Sequence, residues 1–254
     1  MDAIILAGGE TPPDLAAATN CRDRALIEIN GHPMVTYVVD AVQATPDIER
    51  IAVVGSEATR ELIATRFPDM VLVADSGSMI GNAQAAMKAL GMPLAVVTTC
   101  DIPLVTAGTY HELLAEFKRR NLEAAYAVAR RKVCEAAFPT GKRTYAHLTE
   151  DDYTAGNAVI VSGAIVDQMA IVFEKFYKAR KNPLAMAKLL GFNFLLKAAS
   201  RRLSVRDAEA KMAELVGCNA GAVEMQDAAI AFDVDKMDDY IVAKRALEQR
   251  ALAV

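Results

Sequence analysis

The stretch that decides the fold is MDAIILAGG, residues 1–9. Its apolar run predicts a buried strand, and Gly8 and Gly9 predict a tight turn directly after it. Glycine suits a phosphate-binding turn because it accepts a positive φ and lets backbone N–H groups approach an anion closely. Paired glycines also occur in ordinary turns, so this stretch alone leaves both interpretations open.

Beyond residue 9, short apolar runs alternate with longer amphipathic runs. The predicted strands are Ala3–Ala7, Ile51–Gly55, Val71–Ala74, Leu94–Thr99, Ala124–Ala129, Ala158–Val161 and Ile230–Val234. The predicted helices are Met34–Ala44, Ala58–Phe67, Asn82–Leu90, Ala107–Arg119 and one that begins near Lys236. Strands rich in Val and Ile that alternate with helices predict βαβ units with both sheet faces covered. We therefore expect an α/β fold with three αβα layers and a mostly parallel twisted sheet.

The second half of the chain departs from this alternation. Residues 130–156 are polar, whereas residues 165–217 are mostly helical in pattern. No Gly/Ser-rich or Pro-rich linker divides the chain, and linkers of that composition are the usual mark of a domain boundary. We therefore expect a single domain over residues 1–254, with a helical insertion at about 165–217.

Composition limits the classes of function. A formal net charge of −4 argues against a nucleic-acid binder that relies on overall positive charge. The four cysteines lie far apart without a C-x-x-C pair, which favours a reducing compartment over a disulfide framework or a zinc site. The apolar run at residues 3–7 has no basic segment before it and is too short to span a membrane. We expect a cytoplasmic protein.

A second informative stretch is RDRALIEINGHPM, residues 22–34. A Rossmann turn and a Walker A loop both fit the first glycines poorly, because the third glycine and the G-K-[ST] element are missing. Together the two stretches resemble the MobA-like nucleotidyltransferases of the GT-A type. These open with a strand, L-A-G-G and an arginine-bearing loop, and continue with K-[AP]-L and G-x-P-[ML]. The matching segments are Leu6–Gly9, Arg24–Leu26 and Gly31–Met34.

The resemblance implies a nucleotide-diphospho-sugar transferase-like fold and assigns roles to the first site residues. Nucleotide binding falls to Leu6, Ala7, Gly8 and Gly9, and the catalytic cations over the phosphates are Arg22 and Arg24. The chain departs from the family in two places. Its loop at residues 10–21 carries prolines and alanines, and an arginine stands at position 24 where the family usually has lysine. Arginine keeps the positive charge and binds phosphate bidentately. The charge of lysine is concentrated on one nitrogen, however, so the exchange is not conservative.

Asp101 follows a predicted buried strand, and Pro103 follows two residues later. An aspartate in this position lies where open α/β sheets bind ligands, and its charge requires a cation or hydrogen bonds. The alternative is a helix N-cap, although Thr106 is the more natural cap for the next helix. The resemblance assigns Asp101 to Mg²⁺ through the family's D-x-P motif.

The segment FDVDKMDDY, residues 232–240, is similar to the family's D-[IV]-D-T-P-E-D-L segment. On a strand, Asp233 and Asp235 would point to the same face and could converge on one cation, Mg²⁺ or Mn²⁺. An N-cap role for Asp235 remains the alternative.

Two further loops resemble parts of the family's site. Residues 77–82 resemble its base-contacting loop, with Gly81 and Asn82 as nucleotide-binding candidates, although Asn82 could equally cap the next helix. Gly156 and Asn157 resemble the strand entry that faces the acceptor. The three histidines show neither triad nor metal-ligand spacing.

Residues 175–206 contain nine basic residues and no acidic one, which leaves 19 basic and 32 acidic residues in the rest of the chain. Aromatic and leucine residues are interleaved with this charge. An ordinary solvated helix face explains the pattern. A docking surface for an anionic acceptor, an acidic partner or a membrane surface is the sharper alternative.

From the resemblance we expect a Mg²⁺-dependent nucleotidyltransferase (Mn²⁺ being the other candidate metal). It would move a nucleotide from an NTP, with CTP or GTP preferred, to a small anionic acceptor bearing a phosphate or hydroxyl group. Two alternatives stay open. A GT-A glycosyltransferase using a nucleotide-sugar is suggested by the formal D-x-D at residues 233–235. A nucleotide-binding regulator without catalysis is suggested by Arg24 and by the altered loop at residues 10–21.

Overall fold

A central eight-stranded sheet organises the structure, a computed structural model that describes residues 1–141, 143–179 and 182–252. The strands are β1 (Asp2–Ala7), β2 (Glu28–Ile29), β3 (His32–Pro33), β4 (Ile51–Gly55), β5 (Val71–Ala74), β6 (Leu94–Thr99), β7 (Ala124–Arg130), β8 (Ala146–His147), β9 (Asp152–Ser162) and β10 (Ala220–Met225). The order across the sheet is β10-β7-β9-β6-β1-β4-β5, with β8 paired to β9 and with β2 and β3 forming a separate small ribbon.

The sheet is mostly parallel, as the alternating sequence pattern predicts. Parallel pairing joins β1 to β4 and β6, β4 to β5, and β7 to β10. Strand β9 runs antiparallel to its neighbours β6, β7 and β8. The carboxyl ends of β1, β4, β5 and β6 therefore meet at one edge, where ligands bind in folds of this class.

Helices cover both faces of the sheet and complete the three layers. They are α1 (Pro13–Thr19), α2 (Met34–Gln43), α3 (Glu57–Arg66), α4 (Met79–Ala89), α5 (Ala107–Arg119), α6 (Arg131–Ala137), α7 (Val166–Ala179), α8 (Pro183–Leu190), α9 (Phe192–Ala199), α10 (Val205–Val216) and α11 (Met237–Leu252). Alternate residues of β1 enter two separate cores, with Ile5 packed among residues of α2 and α5, and Ile4 among residues of α4. Burial on both faces explains why the sequence of β1 shows no polar alternation.

Helices α7 to α10 lie between β9 and β10 and carry most of the basic segment at 175–206. Its apolar side chains include Phe192, which is 72% exposed, and Leu196, which is 56% exposed. Two of its lysines form ion pairs, Lys178 with Glu174 and Lys197 with Asp207. Arg180 and Lys181, two of the nine basic residues, lie outside the described residues. In the described part of the chain, no helix combines the length and the apolar character needed to cross a bilayer.

The predicted strand Ile230–Val234 is wrong. Residues Ala228–Ala231 form a short 3₁₀ helix, and the chain then runs extended without joining the sheet. Phe232 and Val234 are buried against the core beneath the sheet edge, so their apolar pattern reflects burial rather than strand pairing. The true last strand is β10, which the sequence pattern missed because it is short and contains only one β-branched residue.

Candidate active site

Both glycines of the turn after β1 are constrained, for different reasons. Gly9 has a φ of +114°, a conformation that L side chains rarely adopt. At Gly8, an added Cβ would lie 2.5 Å from Oδ2 of Asp75, so a side chain here would displace the Asp75 carboxylate. Leu6 and Ala7, just before the turn, are buried, and the Leu6 carbonyl accepts a hydrogen bond from the backbone N–H of Cys100 at 3.1 Å. This bond ties the turn to the loop that carries Asp101.

Asp75, at the end of β5, is a site residue that the sequence analysis missed. Its Oδ1 accepts hydrogen bonds from the Asn82 amide at 2.7 Å and from the Gly77 backbone N–H at 2.8 Å. These bonds, together with one from the Gly9 backbone, lower the pKa of Asp75 and keep it ionised. The glycine turn therefore already faces a carboxylate.

Asn82 is buried and does not cap a helix, so that interpretation is corrected. Helix α4 begins three residues earlier than predicted, and its cap is Ser78, whose side chain accepts from the Gly81 N–H. The Asn82 carbonyl oxygen accepts from the backbone N–H and the hydroxyl of Ser76, at 2.8 and 2.7 Å. Its amide group donates to Asp75, so Asn82 holds the loop from Asp75 to Ser78 in place.

Arg24 lies in a 3₁₀ turn, Arg24–Leu26, that Asp23 fixes in position. The Asp23 carboxylate caps this turn by accepting from the Ala25 N–H at 3.0 Å. It also accepts from the hydroxyls of Ser56 and Thr59, at 2.5 and 3.0 Å. These bonds anchor the backbone around Arg24 to the end of β4. Arg22, two residues earlier, is exposed at the surface of the same loop.

The Arg24 guanidinium connects two of the three predicted metal ligands. Its Nη1 lies 2.6 Å from Oδ2 of Asp101 and 3.1 Å from Oδ1 of Asp235. Asp101 is buried, and its other oxygen accepts from the Thr99 hydroxyl at 2.6 Å. Desolvation lowers the pKa of Arg24, but the charge and hydrogen bond of Asp101, together with the charge of Asp235, oppose it, and the net shift is upward.

Asp233 is the third predicted ligand, and the structure places it close to Asp235 although neither residue lies on a strand. Burial, followed by the charge of Asp235, raises the pKa of Asp233 to about 7. Arg143 partly opposes this effect, with Nε 3.7 Å from Oδ1 of Asp233. Arg143 also packs over the Phe232 ring, at 4.7 Å from its centroid. Arg143 lies in the polar segment before β8, where no sequence motif singles it out.

A polar pocket of about 570 Å³ adjoins these aspartates. Its walls include Arg143, Asp233, Asp235 and both predicted acceptor-binding residues, Gly156 and Asn157. An added Cβ at Gly156 would lie 2.9 Å from the Ala127 carbonyl oxygen, so this glycine permits close strand packing. The Asn157 amide donates to the Ile230 carbonyl at 3.3 Å, which links β9 to the segment that leads to Asp233.

The donor chemistry of this cluster fits a hard divalent cation. Within the described ranges, no group of three or more acidic, histidine or cysteine side chains is arranged to hold a metal ion. Mg²⁺, however, is usually bound by one or two carboxylates together with substrate phosphates, and Mn²⁺ shares the preference for oxygen. Burial, followed by the charge of Asp235, raises the pKa of Asp233 and so disfavours its charged form. A bound cation would favour the charged form.

The sheet order, the glycine turn and the carboxylates at the sheet edge define a domain of the nucleotide-diphospho-sugar transferase fold. The chain belongs to the MobA-like NTP transferase family, whose domain model matches residues 3–186. A hypothetical transferase from Thermus thermophilus superposes with a TM-score of 0.81 at 29% identity, covering 94% of this chain and 98% of that one.

Curated relatives agree with this membership, and a more distant structure shares the fold. Molybdenum cofactor guanylyltransferases from Shewanella loihica and Shewanella baltica are 26% and 29% identical over 130 and 133 residues. Each match covers 50% of this chain and 62% of the relative, so the chain spans less than two thirds of those proteins. A CMP-2-keto-3-deoxy-manno-octonic acid synthetase solved with CTP shares the fold, with a TM-score of 0.60 at 12% identity over 98% of this chain.

Proposed function

We propose that the protein is a Mg²⁺-dependent nucleotidyltransferase that transfers the NMP part of an NTP to a small acceptor bearing a phosphate or hydroxyl group. The observation that carries this proposal is the Arg24 guanidinium held between Asp101 and Asp235 beside the glycine turn. It supports the proposal because Arg24 would then contact the phosphates, and Asp101 and Asp235 the metal, at the sheet edge where nucleotides bind in this fold class. Asp101, Asp233 and Asp235 would hold Mg²⁺, which supplies charge neutralisation for the triphosphate.

The remaining work falls to residues that bind and orient the substrates. Arg22 and Arg24 would bind the phosphates beside the Gly8–Gly9 turn, and the Gly9 N–H, which donates to Asp75 in this structure, would have to exchange that bond for a phosphate oxygen. An acceptor oxygen in the polar pocket then attacks the α-phosphorus, and the bond to the β-phosphate breaks to release pyrophosphate. Positioning and electrostatic stabilisation account for the rate of such reactions, which explains a site without a side-chain nucleophile.

The Asp75 carboxylate favours a base that presents N–H donors. Its low pKa keeps it an acceptor at neutral pH. Guanine offers a ring N–H and an amino group on one edge, whereas cytosine offers an amino group alone. We therefore favour GTP over CTP, in agreement with the names of the Shewanella relatives. Asp75→Asn should reduce the preference for GTP over CTP in a competition assay.

Pyrophosphate release tests the proposal directly. The wild type is expected to release pyrophosphate from GTP or CTP only when Mg²⁺ and an acceptor are both present, and Asp101→Asn should abolish the release. Turnover of a nucleotide-sugar in the absence of any NTP would favour the glycosyltransferase alternative. Tight NTP binding without pyrophosphate release over a broad acceptor panel would favour the regulatory alternative, which Arg24 and the altered loop at residues 10–21 suggest.

A further inference from the structure

A second cavity, of about 410 Å³, lies on one face of the sheet between β7, β9 and β10 on one side and α7 and α10 on the other. Its size is within the range of about 300–1,000 Å³ that is usual for small-molecule sites. Among the residues that line it, the one polar side-chain atom is the hydroxyl oxygen of Tyr126. We refer to it as the apolar cavity. Such walls cannot satisfy the hydrogen bonds of a base, a sugar or a phosphate.

The apolar cavity adjoins the polar pocket at Tyr126, which lines both of them. Tyr126 pairs with Val159 of β9, which also lines the apolar cavity, whereas Asn157 of β9 lines the polar pocket. The two cavities therefore meet around Tyr126, with Asp233 and Asn157 on the polar side and α7 and α10 on the apolar side.

The outer wall of the apolar cavity leaves large apolar side chains in contact with water. Phe173 of α7 is 53% exposed, and Met212 of α10 is 38% exposed. A contiguous apolar surface of this kind, joined to a polar site, is typical of a binding site for an apolar group.

We infer that the acceptor is amphiphilic, with a phosphate or hydroxyl head in the polar pocket and an apolar tail in the apolar cavity. This inference rests on the proposed function and specifies its acceptor class. The head oxygen forms a bond to the α-phosphorus, the bond to the β-phosphate breaks, and pyrophosphate leaves with the electron pair. A proton on the head is released to solvent, and no oxidant or reductant is required.

The test measures the binding of butyl, hexyl, octyl and decyl phosphate by calorimetry, below the concentrations at which they form micelles. Each methylene that enters the apolar cavity should increase affinity by up to about fourfold. Phe173→Ser should strongly reduce the affinity for decyl phosphate and leave the affinity for butyl phosphate nearly unchanged. Ile171→Ser is the matched control, because Ile171 lies on the same helix, is 46% exposed and does not line either cavity.

Affinity that does not change with chain length would overturn the inference, as would equal losses in Phe173→Ser and Ile171→Ser. Thermal unfolding of both variants checks that each is folded. Separate titrations with GTP and CTP distinguish a failure of the amphiphilic-acceptor inference from a failure of the proposed nucleotidyltransferase function. Nucleotide binding without chain-length dependence overturns the amphiphilic acceptor alone. Chain-length dependence without nucleotide binding supports the apolar cavity and overturns the transfer reaction.

Discussion

At the scale of single residues, Arg24 has the largest consequences for the site. It stands where related sequences usually have lysine. Its ion pairs to Asp101 and Asp235 hold these two candidate metal ligands close together without a metal ion. Its buried Nε has no hydrogen-bond partner among the described residues. Both ion pairs use Nη1, so a phosphate would be bound through the N–H groups of Nη2, because the buried Nε is closed to solvent.

Substitutions of Arg24 distinguish the contribution of its positive charge to activity from that of its guanidinium geometry. Arg24→Ala should lower kcat/KM for pyrophosphate release by about 100-fold, the usual effect of removing one electrostatic contact to a developing charge. Arg24→Lys keeps the charge but loses the planar fork of donors, so its activity should fall between those of the wild type and Arg24→Ala. Arg119→Ala removes an exposed arginine on α5 and serves as the control. Full activity in Arg24→Ala would show that this residue does not contact the phosphates.

Asp233 should make stability depend on pH when no cation is bound. Burial and the charge of Asp235 raise its pKa to about 7 in the folded protein, from a usual value near 3.8. The folded state then binds more protons than the unfolded state between these values, so stability falls as pH rises through this range. Mg²⁺ should raise the melting temperature more at pH 8 than at pH 5.5, and Asp233→Asn should remove the difference. Equal Mg²⁺ shifts at both pH values in the wild type would contradict this assignment.

Sequence reasoning could find the residues that belong to contiguous motifs. Gly9, Arg24 and Asp101 were accessible because each follows a strand or stands in a recognisable segment. Asp75 and Arg143 were not, because Asp75 reaches the site through its contact with the distant Gly8–Gly9 turn, and Arg143 through its packing against Phe232. No local pattern encodes such proximity.

At the scale of secondary structure, the sheet was predictable and the segment at its edge was not. The buried strands β1, β4 and β6 consist mainly of Val, Ile, Leu and Ala. Such a composition without polar alternation predicts strands that are buried on both faces. The segment after residue 227 is equally apolar, yet it forms a 3₁₀ turn and an extended stretch. Its Val234 N–H donates to the Asp101 carbonyl at 2.8 Å, so one backbone contact replaces strand pairing. This contact, rather than strand periodicity, brings Asp233 and Asp235 to the site.

The turn after β1 can be tested with a pair of glycine substitutions. Gly9 and Gly191 have φ values of +114° and +90°, and an added Cβ at either meets no atom within 4 Å. Gly9→Ala and Gly191→Ala should each cost about 1–2 kcal/mol of stability through backbone strain. Gly9→Ala alone should also weaken GTP binding, because the strain displaces the N–H groups of the turn. Equal GTP affinity in the two variants would exclude the turn from nucleotide binding.

At the scale of the whole molecule, the uneven distribution of charge stands out. The chain carries a net charge of −4, yet residues 175–206 are exclusively basic among their charged residues. Exposed Phe192 and Leu196 lie on the same segment. Basic residues beside exposed apolar side chains are typical of surfaces that lie on anionic membranes.

The membrane hypothesis predicts that vesicles rich in anionic lipid bind the protein and that salt weakens the binding. Charge reversal by Arg201→Glu and Arg202→Glu should reduce binding in a vesicle sedimentation assay. Reversal of the exposed pair Lys244 and Arg245 on α11 makes the same change in net charge elsewhere and should have little effect. If both double variants bind like the wild type, the basic segment is an ordinary solvated face.

The central claim is that Asp101 lies in a metal-dependent nucleotide site. The most direct test is a thermal-shift titration with GTP, CTP, UTP and ATP, each with and without Mg²⁺. It is performed on the wild type, on Asp101→Asn, and on Asp69→Asn, which changes an exposed aspartate remote from the site. A ligand that binds only the folded state raises the melting temperature. We predict a Mg²⁺-dependent rise that is largest for GTP, retained in Asp69→Asn and lost in Asp101→Asn. The absence of a shift with every nucleotide, or an equal shift in all three proteins, would contradict the claim.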